Sequence, residues 1–129
     1  MSEKLERSIE ELARHDRRYA PGAYLLVFEG LESALSKIGT RRHVSPRELC
    51  EGIRDAAQEQ WGLLARTVLE TWNVHSTADF GDLVFNLISR GLLVAGEEDT
   101  RGQFEGVYDF LEAFDQAWAD RIDSSPPRL

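Results

Sequence analysis

The residues of this chain that could do chemistry are three histidines, one cysteine and many carboxylates. His15, His43 and His75 lie far apart and lack the spacing of a metal site. The chain contains no Gly-x-Ser-x-Gly elbow, no glycine-rich phosphate loop, no His-Glu-x-x-His helix and no EF-hand calcium loop. Folding could still bring His75 near Asp79, or Cys50 near His43. No motif points to such a site, and we therefore expect a non-enzymatic protein without a cofactor or a metal.

Acidic residues are concentrated in the second half of the chain. Residues 1–60 carry ten Lys and Arg against eleven Asp and Glu, whereas residues 61–129 carry five against twelve, and the net charge of the whole chain is −8. A partner drawn by this field would be basic. The acidic run at residues 97–99, together with Asp82, could hold a cation, but a solvated acidic loop is the commoner outcome and the one we expect.

The stretch at residues 76–110 is the element around which the rest of the chain is organised. In order, it predicts a capped amphipathic helix at 77–90, a glycine stop at Gly91, a short buried strand at 92–94, an acidic loop at 95–102 and a return strand at 106–110. Ser76 and Asp79 have the spacing of a capping box at the start of the helix. The apolar spacing that follows also fits a helix face, so residues 107–110 are open between strand and helix, with helix expected at 111–121 in either case.

Apolar spacing predicts four further helices upstream of this stretch. They run over residues 4–16, 23–38, 45–61 and 63–72. The clearest local signal is Ser45-Pro46-Arg47-Glu48, with an N-cap serine, a proline at the first helical position and a glutamate that closes the capping box. Gly39 directly follows the second helix, as a left-handed cap would. The first helix has a narrow apolar stripe, so it either docks on the domain or pairs with a second copy, and we favour docking.

Length and composition are those of one globular domain. The chain is 42% hydrophobic and 29% charged, without the Pro and Gly content of a disordered protein. We expect one domain over residues 1–122, with the helix at 4–16 docked on it, and a disordered tail at 123–129. No apolar segment is long enough to span a membrane and the acid-containing first residues are unlike a signal peptide, so we expect a cytoplasmic protein without a membrane partner. Cys50 has no partner for an internal disulfide and is expected to be a small, half-buried helix side chain.

The succession of helices, glycine stop and hairpin over about residues 22–110 resembles a winged-helix domain. This resemblance implies a mainly α (α+β) fold with a short β-hairpin near residues 92–110. A second likeness rests on short phrases spread over most of the chain. These are Arg18-Tyr19-Ala20-Pro21, Arg42-His43-Val44-Ser45, Leu64-Ala65-Arg66-Thr67-Val68, Asp79-Phe80-Gly81-Asp82, Val84-Phe85-Asn86-Leu87 and Tyr108-Asp109-Phe110. They are similar to phrases shared by a family of small bacterial proteins of unknown function, which implies a widely used domain and no particular activity.

A winged helix would suggest DNA binding, but the charges of this chain oppose it. The outer helix positions that would read bases hold Asp79, Asp82 and Asn86, and the tip of the proposed wing is acidic. Carboxylates beside phosphates would oppose the release of counterions that supplies most of the non-specific affinity. We therefore expect a protein-protein interaction or adaptor module, with a winged-helix DNA-binding regulator as the alternative.

The predicted partner surface combines the acidic outer face of the 77–90 helix, an aromatic side chain and the acidic loop. Its residues are Asp79, Asp82, Phe85, Asn86, Glu97, Glu98 and Asp99. The partner is expected to be a basic protein or a second copy of the chain. Phe85 either packs on a neighbouring helix or contributes to this surface. A second hypothesis is an anion-binding patch, whose residues would otherwise be solvated. Its members are Arg17, Arg18, Arg41 and Arg42.

Overall fold

The computed structural model describes residues 3–116, and this part of the chain is mainly helical, as predicted. Its α-helices are α1 (Glu3–His15), α2 (Pro21–Ile38), α3 (Pro46–Trp61), α4 (Ala65–Thr71) and α5 (Thr77–Ser89). Two short 3₁₀ helices lie at Gly62–Leu64 and Arg101–Phe104, and a π-helical segment at Leu111–Gln116. The remaining part of the helix predicted at 111–121, and the predicted tail at 123–129, lie outside the described residues.

Local signals in the sequence determine where the central helices begin and end. At the start of α3, the Ser45 hydroxyl accepts a hydrogen bond from the Glu48 amide (3.1 Å), and the Glu48 carboxylate accepts one from the Ser45 amide (3.0 Å). Gly39 ends α2 with φ of 86°, and its amide donates to the Leu35 carbonyl (2.9 Å). Both predicted caps are therefore confirmed, because each depends on residues only three or four positions apart.

Helices α2 and α3 form the centre of the fold and approach each other closely at two glycines. A Cβ atom added at Gly52 would overlap the carbonyl oxygen of Gly30, and one added at Gly30 would overlap the Ile53 side chain. The absence of a side chain at both positions lets the two backbones meet. This contact brings Tyr24, Leu26 and Ile53 into one buried core.

The other elements pack around this helix pair. Helix α1 contacts α2 and buries Ile9 and Leu12, while α5 contacts α2 and buries Phe80, Leu83 and Leu87. Part of the core is an aromatic cluster between α5 and the segment that ends the described chain. Its rings pack on one another with centroids 5.1 to 6.4 Å apart and belong to Phe80, Tyr108, Phe110 and Phe114. Across residues 3–116, no helix has the length and apolar character needed to cross a membrane.

The predicted β-hairpin near residues 92–110 is wrong: residues 3–116 contain no strand, so the described chain has no wing. A strand needs the backbone of a neighbouring strand as its hydrogen-bonding partner, and here the backbone amides bond locally or to side chains. The Gly96 amide donates to the Asp99 carboxylate (2.9 Å), and the Val107 amide donates to the Thr77 hydroxyl (3.2 Å). Of residues 107–110, which were open between strand and helix, 107–109 are irregular and only Phe110 is helical.

Candidate binding site

The acidic outer face of α5 lies against the turn between α1 and α2. The hydroxyl of Tyr19 donates to Asp79 Oδ1 (2.6 Å) and lies 3.1 Å from Asp82 Oδ2. The guanidinium of Arg18 lies 2.9 Å from Asp82 and 3.4 Å from Asp79, and the guanidinium of Arg101 lies 3.4 Å from Asp82. The two aspartate side chains are only 14% and 17% exposed. This face is therefore an internal contact of the fold.

The same carboxylates also build α5 itself. Asp79 Oδ2 accepts hydrogen bonds from the amides of His75 (2.8 Å) and Ser76 (3.3 Å), and the bond from Ser76 is part of the predicted capping box. Asn86 donates to the Asp16 carboxylate (3.2 Å) and to the Tyr24 hydroxyl (3.1 Å). Asp79, Asp82 and Asn86 were expected to contact a partner, and the structure places all three in contact with this chain.

Burial changes the acidity of both tyrosines in this contact. Burial, and then the hydrogen bond to Asp79, raise the pKa of Tyr19 far above its usual value. Burial also raises the pKa of Tyr24, although the hydrogen bond from Asn86 lowers it in part. Both hydroxyls therefore keep their proton in the folded protein above the pH at which an exposed tyrosine ionises, Tyr19 most strongly.

The four arginines of the predicted anion patch lie on two separate turns. Arg17 and Arg18 lie between α1 and α2, and Arg18 is paired with the aspartates of α5. Arg41 and Arg42 lie between α2 and α3. These two are paired with Glu32 (3.4 Å) and Glu48 (2.8 Å), respectively. The hydrogen bond from Arg42, followed by that from the Ser45 amide, lowers the pKa of Glu48 to about 2. Three of the four cations thus already have a carboxylate beside them, while Arg17 is exposed.

The segment after α5 presents a different surface, which we call the 94–99 loop. Val94 is 91% exposed, and Glu97 and Glu98 are also exposed. Asp99 is not free, because its Oδ2 accepts from the Gly96 amide (2.9 Å) and lies 2.9 Å from His43 Nε2. Asp99 thus fixes the curvature of the loop and ties it to the linker between α2 and α3.

A cavity of about 210 Å³ lies behind the 94–99 loop. Its walls come from α2, the start of α3, α5 and the loop. They are formed by Val27, Leu31, Leu35, Val44, Pro46, Leu49, Val84, Phe85, Ile88, Leu93, Val94, Ala95 and Phe104, with Arg42, His43 and Asp99 as the charged residues. The cavity joins residues from four distant parts of the sequence, and no local pattern in the sequence indicated it.

Phe85, which the sequence left open, is half-buried and forms part of this cavity wall. Its ring packs edge-on against Phe104 (centroids 6.5 Å apart), and the Arg101 guanidinium lies 5.5 Å from its centroid. Of the residues predicted to bind a partner, Phe85 and Asp99 therefore lie at the cavity, and Glu97 and Glu98 lie on the loop beside it.

The residues considered for a catalytic site assembled by folding have defined surroundings in the structure. Cys50 is fully buried in α3, and burial raises the pKa of its thiol to about 12. The His75 ring lies 3.1 Å from the Asn73 side chain, and only its backbone amide contacts Asp79. Within residues 3–116, no three His, Cys, Asp or Glu side chains come together as a metal site would require.

Comparison of the chain with protein-family models, with curated proteins and with solved structures gives no match.

Proposed function

We propose that the protein is a non-enzymatic binding module that recruits a protein partner through the 94–99 loop. One observation carries the proposal: Val94 is 91% exposed and stands on the same loop as the exposed carboxylates of Glu97 and Glu98. An apolar side chain at this exposure contributes little to the core. Beside two charges on a fixed loop, it can serve as the apolar centre of an interface with a charged rim.

The loop is fixed before any partner arrives. Asp99 bonds the Gly96 amide and His43, and the Thr100 amide donates to the Gln103 side chain (2.7 Å) at the next turn. A loop already held in one conformation loses less entropy on association than a flexible one. The loop is therefore better suited to recognition than an unanchored segment of the same composition.

The charges on the loop define the chemistry of the partner. Glu97 and Glu98 favour a partner that carries Lys or Arg next to the apolar group that contacts Val94. The net charge of −8 also attracts a basic protein at long range, before contact is made. A second copy of this chain is a weaker candidate for the loop, because two copies would bring like charges together.

A winged-helix DNA-binding regulator is the alternative function and has less support. The outer face of α5, which would enter the groove, is occupied by Arg18 and Tyr19, and residues 3–116 include no strand that could form a wing. The cations Arg18, Arg41 and Arg42 are each paired with carboxylates of this chain. Each of these three cations would therefore meet a phosphate backbone with a carboxylate of this chain beside it.

The proposal is tested by placing a photo-crosslinking amino acid at Val94 in living cells. The control position is Leu63, which is 56% exposed and lies on the 3₁₀ helix after α3. We expect a discrete crosslinked protein from position 94 that is not obtained from position 63. Equal crosslinking patterns from the two positions would refute the role of the loop.

The charge requirement is tested by binding of the captured partner to the double variant Glu97→Lys/Glu98→Lys. The matched control is Glu10→Lys/Glu11→Lys, which makes the same charge change at two exposed positions of α1. We expect the loop variant alone to weaken binding, and we expect wild-type binding to weaken with added salt. Equal losses in the two variants would show that only net charge matters.

A further inference from the structure

We propose that the cavity behind the 94–99 loop is a binding site for a small, uncharged, largely apolar molecule. This inference goes beyond the partner surface, because it concerns the interior side of the loop and requires no second protein. It rests on three observations: the apolar walls, the internal pairing of every charge at the cavity, and the volume.

The walls of the cavity are apolar on all sides that the helices supply. Val27 and Leu31 come from α2, Leu49 comes from α3, and Val84 and Ile88 come from α5. Water gains little in such a space, because it needs two to four polar partners. An apolar molecule instead gains contacts with each of these side chains and leaves bulk water.

The charges at the cavity select against an ionic ligand. Arg42 is held by Glu48 through two hydrogen bonds (2.8 and 3.2 Å), and His43 lies 2.9 Å from Asp99. Arg42 therefore has a carboxylate beside it, and Asp99 already contacts His43 and the Gly96 amide, so neither group is free for the head group of a charged ligand. Moving an ion into apolar walls without a new partner is unfavourable, so the cavity favours a neutral molecule.

The volume limits the size of that molecule. At about 210 Å³, the cavity is larger than the roughly 150 Å³ apolar cavity that is known to accept benzene in an engineered protein. It is smaller than the roughly 300–1,000 Å³ pockets that enclose drug-sized ligands. A single substituted aromatic ring or a short aliphatic chain is the size that fits.

The test uses three probes that share one ring and differ in charge: benzyl alcohol, benzoate and benzylamine. Each is titrated into the wild-type protein labelled at the methyl groups of Val and Leu, and binding is followed by NMR. We expect benzyl alcohol to shift the methyl signals of Val27, Val84 and Leu93, which line the cavity, and to leave those of Val74 unchanged. The two ions should bind at least about tenfold more weakly.

Two outcomes of this titration overturn the proposal. One is the absence of any saturable shift at the cavity methyl groups with benzyl alcohol. The other is benzoate or benzylamine binding as tightly as the alcohol, which would show that the paired charges do not select a neutral ligand. Both results are obtained with the wild-type protein, so they do not depend on whether a variant folds.

A filled cavity gives the complementary result. Val84→Phe places a ring in the cavity, while Val68→Phe makes the same change on α4 at a half-buried residue that does not line it. We expect Val84→Phe to weaken benzyl alcohol binding by about tenfold or more and Val68→Phe to leave it unchanged. Equal affinities in the two variants would refute the site. Crosslinking from Val94 should persist in Val84→Phe, so failure of the cavity site and failure of the partner surface are distinguishable.

Discussion

Replacing Tyr19 by Phe tests whether the acidic face of α5 is a structural contact of the fold. The substitution keeps the buried ring, which is 2% exposed, and removes only the hydroxyl that donates to Asp79 (2.6 Å). A hydrogen bond to a charged group contributes about 1.5–3 kcal/mol. Asp79 retains the amides of His75 and Ser76 and the guanidinium of Arg18, so it is not left without partners. We therefore expect the lower part of that range, about 1.5–2 kcal/mol of lost stability.

The control is Tyr24→Phe, because Tyr24 is equally buried and its hydroxyl accepts only a neutral hydrogen bond from Asn86 (3.1 Å). Such a bond contributes about 0.5–1.5 kcal/mol. The assay is urea unfolding at neutral pH, in which the midpoint should fall further for Tyr19→Phe while the slope stays unchanged. In a thermal scan, the expected loss for Tyr19→Phe corresponds to about 6–8 °C.

Alkaline titration provides a second readout of the same contact. The folded-state pKa of Tyr19 lies above its unfolded value near 10, so above that pH the unfolded chain releases a proton that the folded protein keeps. The contribution of Tyr19 is therefore complete below pH 10 and is lost as the pH rises further, by at most about 1.4 kcal/mol per pH unit. The stability gap between wild type and Tyr19→Phe should narrow above pH 10. The reasoning is refuted if Tyr19→Phe costs no more than Tyr24→Phe and the gap stays constant.

Two further predictions concern the helix pair at the centre of the fold. Gly52→Ala should destabilise the protein by about 1–3 kcal/mol in thermal unfolding, because the new Cβ overlaps the Gly30 carbonyl. The control Gly102→Ala places its Cβ in open space and should change the stability by less than about 0.5 kcal/mol. Equal melting temperatures for the two variants would contradict the close approach of α2 and α3. Cys50 should react with a disulfide reagent only as fast as the protein unfolds, because its thiol is buried and its pKa is raised to about 12; rapid labelling of the native protein would exclude this burial.

The sequence predicted those features that depend on neighbouring residues. The capping boxes at Ser45 and Ser76 and the left-handed cap at Gly39 are confirmed, because three or four residues specify each of them. The apolar run at residues 92–94 predicts a strand, and this prediction is wrong because a strand also requires a partner elsewhere in the chain. Whether such an apolar run forms a strand depends on its tertiary contacts, which the local sequence does not specify.

The candidate site was accessible to sequence reasoning only in part. Helical periodicity placed Asp79 and Asp82 together on one side of α5, and it could not show that Tyr19, some sixty positions earlier, covers that side. The acidic loop was recognised from composition, and its exposed residues Glu97 and Glu98 remain in the proposed partner surface. The cavity behind the loop was not foreseeable, because its walls meet only when four separate segments pack together.

The contact between Gly30 and Gly52 also limits how this chain can change over evolutionary time. The atom that a new Cβ at position 52 would strike belongs to the backbone, which every amino acid shares. No replacement at position 30 can therefore make room. A larger residue at position 52 cannot be compensated by a smaller one at position 30, because Gly30 already has no side chain. A side chain at either position therefore costs stability, whatever the protein binds, so this glycine pair is a landmark of the fold and carries no information about its ligand.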